Sequence, residues 1–150
     1  MHNSNHRHRH SQRGVALIEL ALILPFLLLL TFITTEFGRA MYQYNTLTKS
    51  VRDASRYLSM QTPATKIAQA KNLVVYGNTQ GSGTPLALGL TTANVPDPTW
   101  QTTGSYPYMN TVTVSITGYT FRPLFSSVFG LNFGTLNFGT INATMRAPML

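Results

Sequence analysis

A chain of 150 residues has room for one modest domain, and the absence of cysteine excludes disulfides, thiol nucleophiles and cysteine-based metal sites. Eleven Lys or Arg residues stand against four acids (Glu19, Glu36, Asp53 and Asp97), for a net charge of +7. The basic residues gather near Arg7, Arg9 and Arg13 and again near Arg39, Lys49, Arg52 and Arg56, while only Asp97, Arg122 and Arg146 are charged from Asn72 onward. The distal half thus has almost no basic residues, and no groove-entering element is recognisable, so nucleic acid is not an expected partner.

The chain opens with a polar, basic leader from Met1 to Gly14 that holds all four histidines: His2, His6, His8 and His10. Imidazoles are good metal ligands, but the interleaved Arg charges oppose a cation and no carboxylate lies nearby. A polar cytoplasmic tail is the expected role, with no bound metal.

Val15 to Ile33 is apolar except for Glu19, Thr31 and Pro25. These 19 residues make a helix of about 28 Å, close to the ~30 Å hydrocarbon thickness of a bilayer. A single membrane span is expected, with Pro25 removing one backbone donor and kinking the helix. The basic leader predicts a cytoplasmic N-terminus and an extracytoplasmic remainder. Glu19 is the exception to be explained, since a carboxylate at a bilayer centre costs about 2.5–3.5 kcal/mol on insertion scales and usually marks function.

The helical pattern outlives the apolar run. Leu47, Val51, Ala54 and Leu58 fall at spacings of four, three and four, one face of a 3.6-residue period. Lys49, Arg52 and Arg56 take another face, which reads first as a solvated stripe. Glu36 and Arg39, three apart, form a candidate surface pair. One helix from Val15 to about Ser59 is predicted. Gln61-Thr62-Pro63 then breaks it, with Thr62 as N-cap and Pro63 as the first residue of a second helix running through Ala64 to about Tyr76 and closed by Gly77.

Residues 77–108, rich in Gly, Thr, Pro and Asn, read as long loops with at most one short strand. Met109 to Thr117 alternates, with Val112, Val114 and Ile116 on one face and Thr111, Thr113, Ser115 and Thr117 on the other, as in a half-buried strand. Leu131-Asn132-Phe133-Gly134-Thr135 repeats at once as Leu136-Asn137-Phe138-Gly139-Thr140, with a degenerate third copy at Ile141 to Thr144. So few copies do not make a solenoid, and a turn leading to a last strand over about 140–146 is the better reading. The expected fold is α+β: a long N-terminal helix, transmembrane and then amphipathic, followed by a small head with a second helix and a short antiparallel sheet. Its expected parts are a leader (1–14), the helix and its extension (15–60) and the head (61–150).

Without the leader the chain has neither His nor Cys, and its acids are scattered. General acid–base and nucleophilic catalysis both need paired, mutually activating groups. Gly81-Ser82-Gly83 lacks the P-loop lysine, and the sequon Asn142-Ala143-Thr144 is short enough to arise by chance. An enzyme is not expected, nor is a cofactor.

Taken together, the run Gly14-Val15-Ala16-Leu17-Ile18-Glu19-Leu20-Ala21-Leu22-Ile23-Leu24-Pro25, the block Glu36-Phe37-Gly38-Arg39-Ala40, the stretch Asn45-Thr46-Leu47-Thr48 and the helix Val51-Arg52-Asp53-Ala54-Ser55-Arg56-Tyr57 resemble TadE-type minor pilins, or pseudopilins, of the tight-adherence (Flp) type IVb pilus system. The resemblance implies cleavage after Gly14 by a prepilin peptidase at the cytoplasmic membrane face, leaving Val15 with a new α-amino group. It implies that Glu19 pairs with such an amine, its own or a neighbour's, and sets subunit register. Pro25, Arg39, Arg52 and Arg56 are the further candidates for helix packing and assembly. Implied partners are the peptidase, a major Flp pilin, a companion minor pilin, the inner-membrane pilus platform and membrane lipid. Implied roles are pilus assembly, adhesion and biofilm formation. The His-rich leader and the cysteine-free head are not accounted for by the resemblance.

Two other readings compete. Gly38-Arg39-Ala40 offers small residues where signal peptidase requires them, which would release a secreted head starting at Met41. Alternatively the helix is never cut, the protein is a plain single-pass anchor with a binding head, and Glu19 merely lies near the interface.

Overall fold

The computed structural model describes residues 11–125, 127–128 and 130–147. The leader histidines and their neighbouring arginines, over 1–10, lie outside the described residues. Helix α1 spans Ser11–Ser59 without a break, 49 residues or roughly 74 Å at 1.5 Å per residue. It ends where expected but starts before Gly14, so the leader's last residues share the helix with the apolar run.

Leu, Ile and Ala favour the helix, and Pro25 sits inside it, where the missing N–H deprives the Ala21 carbonyl of its usual donor. The hydroxyls of Thr31, Thr34 and Thr35 donate to the carbonyl oxygens of Leu27, Leu30 and Thr31, each at 2.8 Å. Polar groups on an otherwise apolar helix are thereby satisfied within the helix itself, as a lipid environment requires.

The start of the second helix departs from expectation. α2 spans Ile67–Tyr76, and Thr62 and Pro63 do not cap it. Residues 62–66 instead form a tight reversal in which the Thr65 N–H donates to the Thr62 carbonyl at 3.1 Å, and Ala64 and Lys66 both adopt positive φ, near 60°. A helix beginning at Pro63 would carry the chain onward; the left-handed residues turn it back so that Ala70, Val74 and Val75 meet α1. α2 closes at Gly77 as predicted, with φ of 73° and its N–H on the Leu73 carbonyl at 3.0 Å.

The loop region contains a short 3₁₀ turn, Thr92–Asn94, and one strand, β1 (Thr99–Thr103). β1 pairs antiparallel with β2 (Met109–Ile116), whose other edge pairs antiparallel with β7 (Ile141–Ala147). The predicted alternation in β2 is confirmed: Val112, Val114 and Ile116 are buried, while Thr113 on the opposite face shares a 2.8 Å hydrogen bond with Thr144 of β7.

The buried face of β2 meets α1 and shares one core with Leu47, Val51, Ala54 and Leu58 of α1 and Ala70, Val74 and Val75 of α2, with Ala87, Leu90 and Val95 filling in from the loop. One core therefore joins the far half of α1 to the head. Full burial of each Leu or Val is worth about 1.5–3 kcal/mol.

Between β2 and β7 the chain forms a flap of four two-residue strands, β3 (Thr120–Phe121), β4 (Ser127–Val128), β5 (Leu131–Asn132) and β6 (Leu136–Asn137). β3 pairs with β6 and β4 with β5, so the two repeat copies serve two different hairpins, and the third copy opens β7. Phe138 anchors the flap, its ring 5.5 Å from Tyr44, 5.8 Å from Tyr119 and 6.0 Å from Phe121. The Tyr119 hydroxyl sits 3.1 Å from Gln43 Oε1 and 3.2 Å from the Leu88 carbonyl. Burial pushes its pKa up from 10.0, opposed by Arg39 and Arg122, so the phenol stays a neutral donor.

Candidate membrane segment and its junction with the head

Among the described residues, α1 is the one helix long and apolar enough to cross a membrane, and its apolar window is entirely unburied. Val15, Leu17, Leu20, Leu22, Phe26 and Leu30 all present their side chains to the surroundings. Among the described residues, nothing in the head covers them. An exposed apolar surface of this size marks a site covered by lipid or by a partner, and its length suits a bilayer.

Gly14, Val15 and Glu19 lie together at the start of this surface, and all three are exposed. Gly14 has open space around it: a side chain there would meet nothing within 4 Å. Val15 and Glu19 are one helical turn apart and share a face. Glu19 stands eight residues after Ser11 within continuous α1, more than two turns in and past the reach of the positive end of a helix dipole.

The remaining sequence-predicted residues are not brought to that site. Pro25 is half-buried within the span, whereas Arg52 and Arg56 are exposed on the solvent face of α1, roughly 50 Å from Glu19 by helical rise. Arg39 belongs to a different arrangement, at the junction of span and head.

Glu36 and Arg39 do pair, at 3.2 Å, but not as an open surface pair: their side chains are only 14% and 25% exposed. The flap covers them. Arg39 donates to the Arg122 carbonyl and lies 4.8 Å from the centroid of the Phe121 ring. The Glu36 carboxylate accepts the Leu124 N–H at 3.3 Å. Spacing of three residues identified the pair, but could not reveal that residues 121–124 would fold over it. Next along, Phe125 packs against Phe32 with ring centroids 5.2 Å apart. Contacts at residues 39, 36 and 32 show the flap running down α1 toward the apolar span.

Residues 14–56 match the family model described as TadE-like protein. The chain carries a TadE-like segment. The match starts at Gly14, runs through the apolar span and ends at Arg56 on the helix that builds the head core. It supports a Tad pilus-associated protein with an N-terminal membrane helix. No curated protein and no solved structure matches the chain. The TadE-like segment thus coincides with α1, and the flap and sheet lie beyond it.

Proposed function

We propose that this chain is a minor pilin or pseudopilin of a Tad (Flp) type IV pilus, with no catalytic role of its own. It resides in the inner membrane with a cytoplasmic N-terminus and an extracytoplasmic head. Prepilin peptidase removes residues 1–14, and the mature subunit joins the major Flp pilin, a companion minor pilin and the membrane platform in assembly that serves adhesion and biofilm formation. The observation that carries this reading is the TadE-like match beginning at Gly14, on a helix whose apolar half is unpacked.

The place of Glu19 on α1 supports processing as a functional event. In the uncut chain Glu19 lies more than two turns inside α1; after cleavage it becomes the fifth residue. Its carboxylate then faces both the exposed N–H groups of the first turn and a new α-amino group. Cleavage converts an unfavourably placed charge into one with a partner.

The signal-peptide reading fares worse on the structure. A cut after Ala40 would fall inside continuous α1, at a buried residue, and would separate the Glu36–Arg39 pair from the head it holds. Deleting the subunit in its host is expected to abolish surface pili, counted by electron microscopy, with recovery when the full chain is supplied. Unchanged piliation would contradict the proposal.

A further inference from the structure

After β3 the flap exposes apolar side chains where it meets the apolar run of α1. Leu124 is 66% and Phe125 47% exposed, with Phe37 and Leu136 exposed beside them. An open apolar groove of about 170 Å³, bounded by Ile33, Phe37, Phe133 and Leu136 among others, continues the same surface. Phe125 reaches α1 at Phe32, one residue before the apolar run ends at Ile33. Counting from Val15, that contact lies about 26 Å along the helix, at the outer edge of a ~30 Å hydrocarbon layer.

We infer that Leu124 and Phe125, the tip of this contact with α1, dip into the extracytoplasmic leaflet, making the head a second membrane contact beside the span. This rests on the proposal that residues 15–33 cross the bilayer. The occupant is lipid because the patch is continuous with the lipid-facing surface of α1 and lies at the level of its last apolar turn. The neighbouring Arg122 suits an interface: it is exposed, and a long basic side chain can cover apolar surface with its stem and keep its head wet. The backbone N–H of Leu124 is occupied by Glu36, so the tip does not enter lipid with that donor free. With Arg39 on the Arg122 carbonyl, the pair fixes the tip's height. A head held at two points cannot swivel freely about α1.

The cysteine-free chain allows a direct test, because single cysteines can carry a spin label without background. The full chain is reconstituted in phosphatidylcholine vesicles with labels at Phe125→Cys, Leu124→Cys, Phe26→Cys in the span and Thr102→Cys on the exposed sheet edge. Collision with oxygen, which concentrates in lipid, is compared with collision with a nickel chelate, which stays in water. Labels at 124 and 125 are expected to collide mainly with oxygen, at a shallower depth than the label at 26, while the label at 102 collides mainly with nickel. If labels 124 and 125 meet nickel as often as label 102 does, the inference is overturned even though label 26 reports lipid. Low collision with both reagents at 124 and 125 also overturns it and assigns the patch to a second copy of the chain. Label 26 in water would overturn the span itself.

Discussion

Replacing Leu58 with alanine is expected to destabilise the head by about 2–5 kcal/mol, the range for a large-to-small change in a packed core. Leu58 is 0% exposed at the end of α1, amid the cluster that includes Val74, Val75 and the buried face of β2. Alanine leaves a void that the helix, the sheet and the 87–95 loop cannot all close upon, since each is held by its own hydrogen bonds. Against a typical total of about 5–15 kcal/mol, the loss is a large fraction. Urea titration of the reconstituted protein, followed by the fluorescence of Trp100, which packs against this core, measures the effect. Arg56→Ala, two residues away on the exposed face, is expected to change stability by no more than about 0.5 kcal/mol. Equal effects at the two positions would mean that the head is not built on this face of α1.

The second large effect is on assembly. Glu19→Ala is expected to leave the head folded, because Glu19 lies on the unpacked part of α1, far from the core. Incorporation into pili should fall at least about a hundredfold. Removing one partner of a buried ion pair costs about 3–5 kcal/mol, and each 1.4 kcal/mol is tenfold in an equilibrium. The readout is the amount of subunit in sheared pili relative to membrane-extracted subunit, with Glu19→Asp as the variant that keeps the charge. Efficient incorporation of the alanine variant would show that Glu19 has no register role. Loss of head stability in that variant would be equally contrary, because it would tie Glu19 to a fold it does not touch.

The parts of the fold that were legible in the sequence are those where burial imposes a period. Leu47, Val51, Ala54 and Leu58 announced a helix face, and Val112, Val114 and Ile116 announced a strand; the two sets turned out to be opposite walls of one core. The first turn of α2 departs from its local signal: Thr62-Pro63 is a good helix start, while the positive φ at Ala64 and Lys66 is set by the need to dock α2 back on α1. No glycine marks those positions. The one short strand allowed within 77–108 is β1, but its place was not legible because Thr99–Thr103 has only partly buried Trp100 to signal a face and is held by pairing with β2.

For the site, the apolar span and its carboxylate were visible at once, since hydrophobic length and an intruding charge are one-dimensional signals. The junction was not. Glu36 and Arg39 looked like a solvent-exposed pair, and the aromatics from Phe121 to Phe138 had no evident assignment. The five-residue repeat compounds this: an odd shift is out of step with a strand's two-residue alternation, so equivalent positions land in different surroundings. Phe138 anchors an aromatic cluster, whereas Phe133, its counterpart, lines the open groove. Which of them packs depends on contacts more than eighty residues distant, such as Arg39 with Arg122.

Most of the functional account hangs on how the native subunit begins. N-terminal sequencing and intact mass of protein extracted from host membranes should give valine, from a chain shortened by residues 1–14. A product starting at the initiator methionine, or at Met41 beyond the apolar stretch, would contradict it.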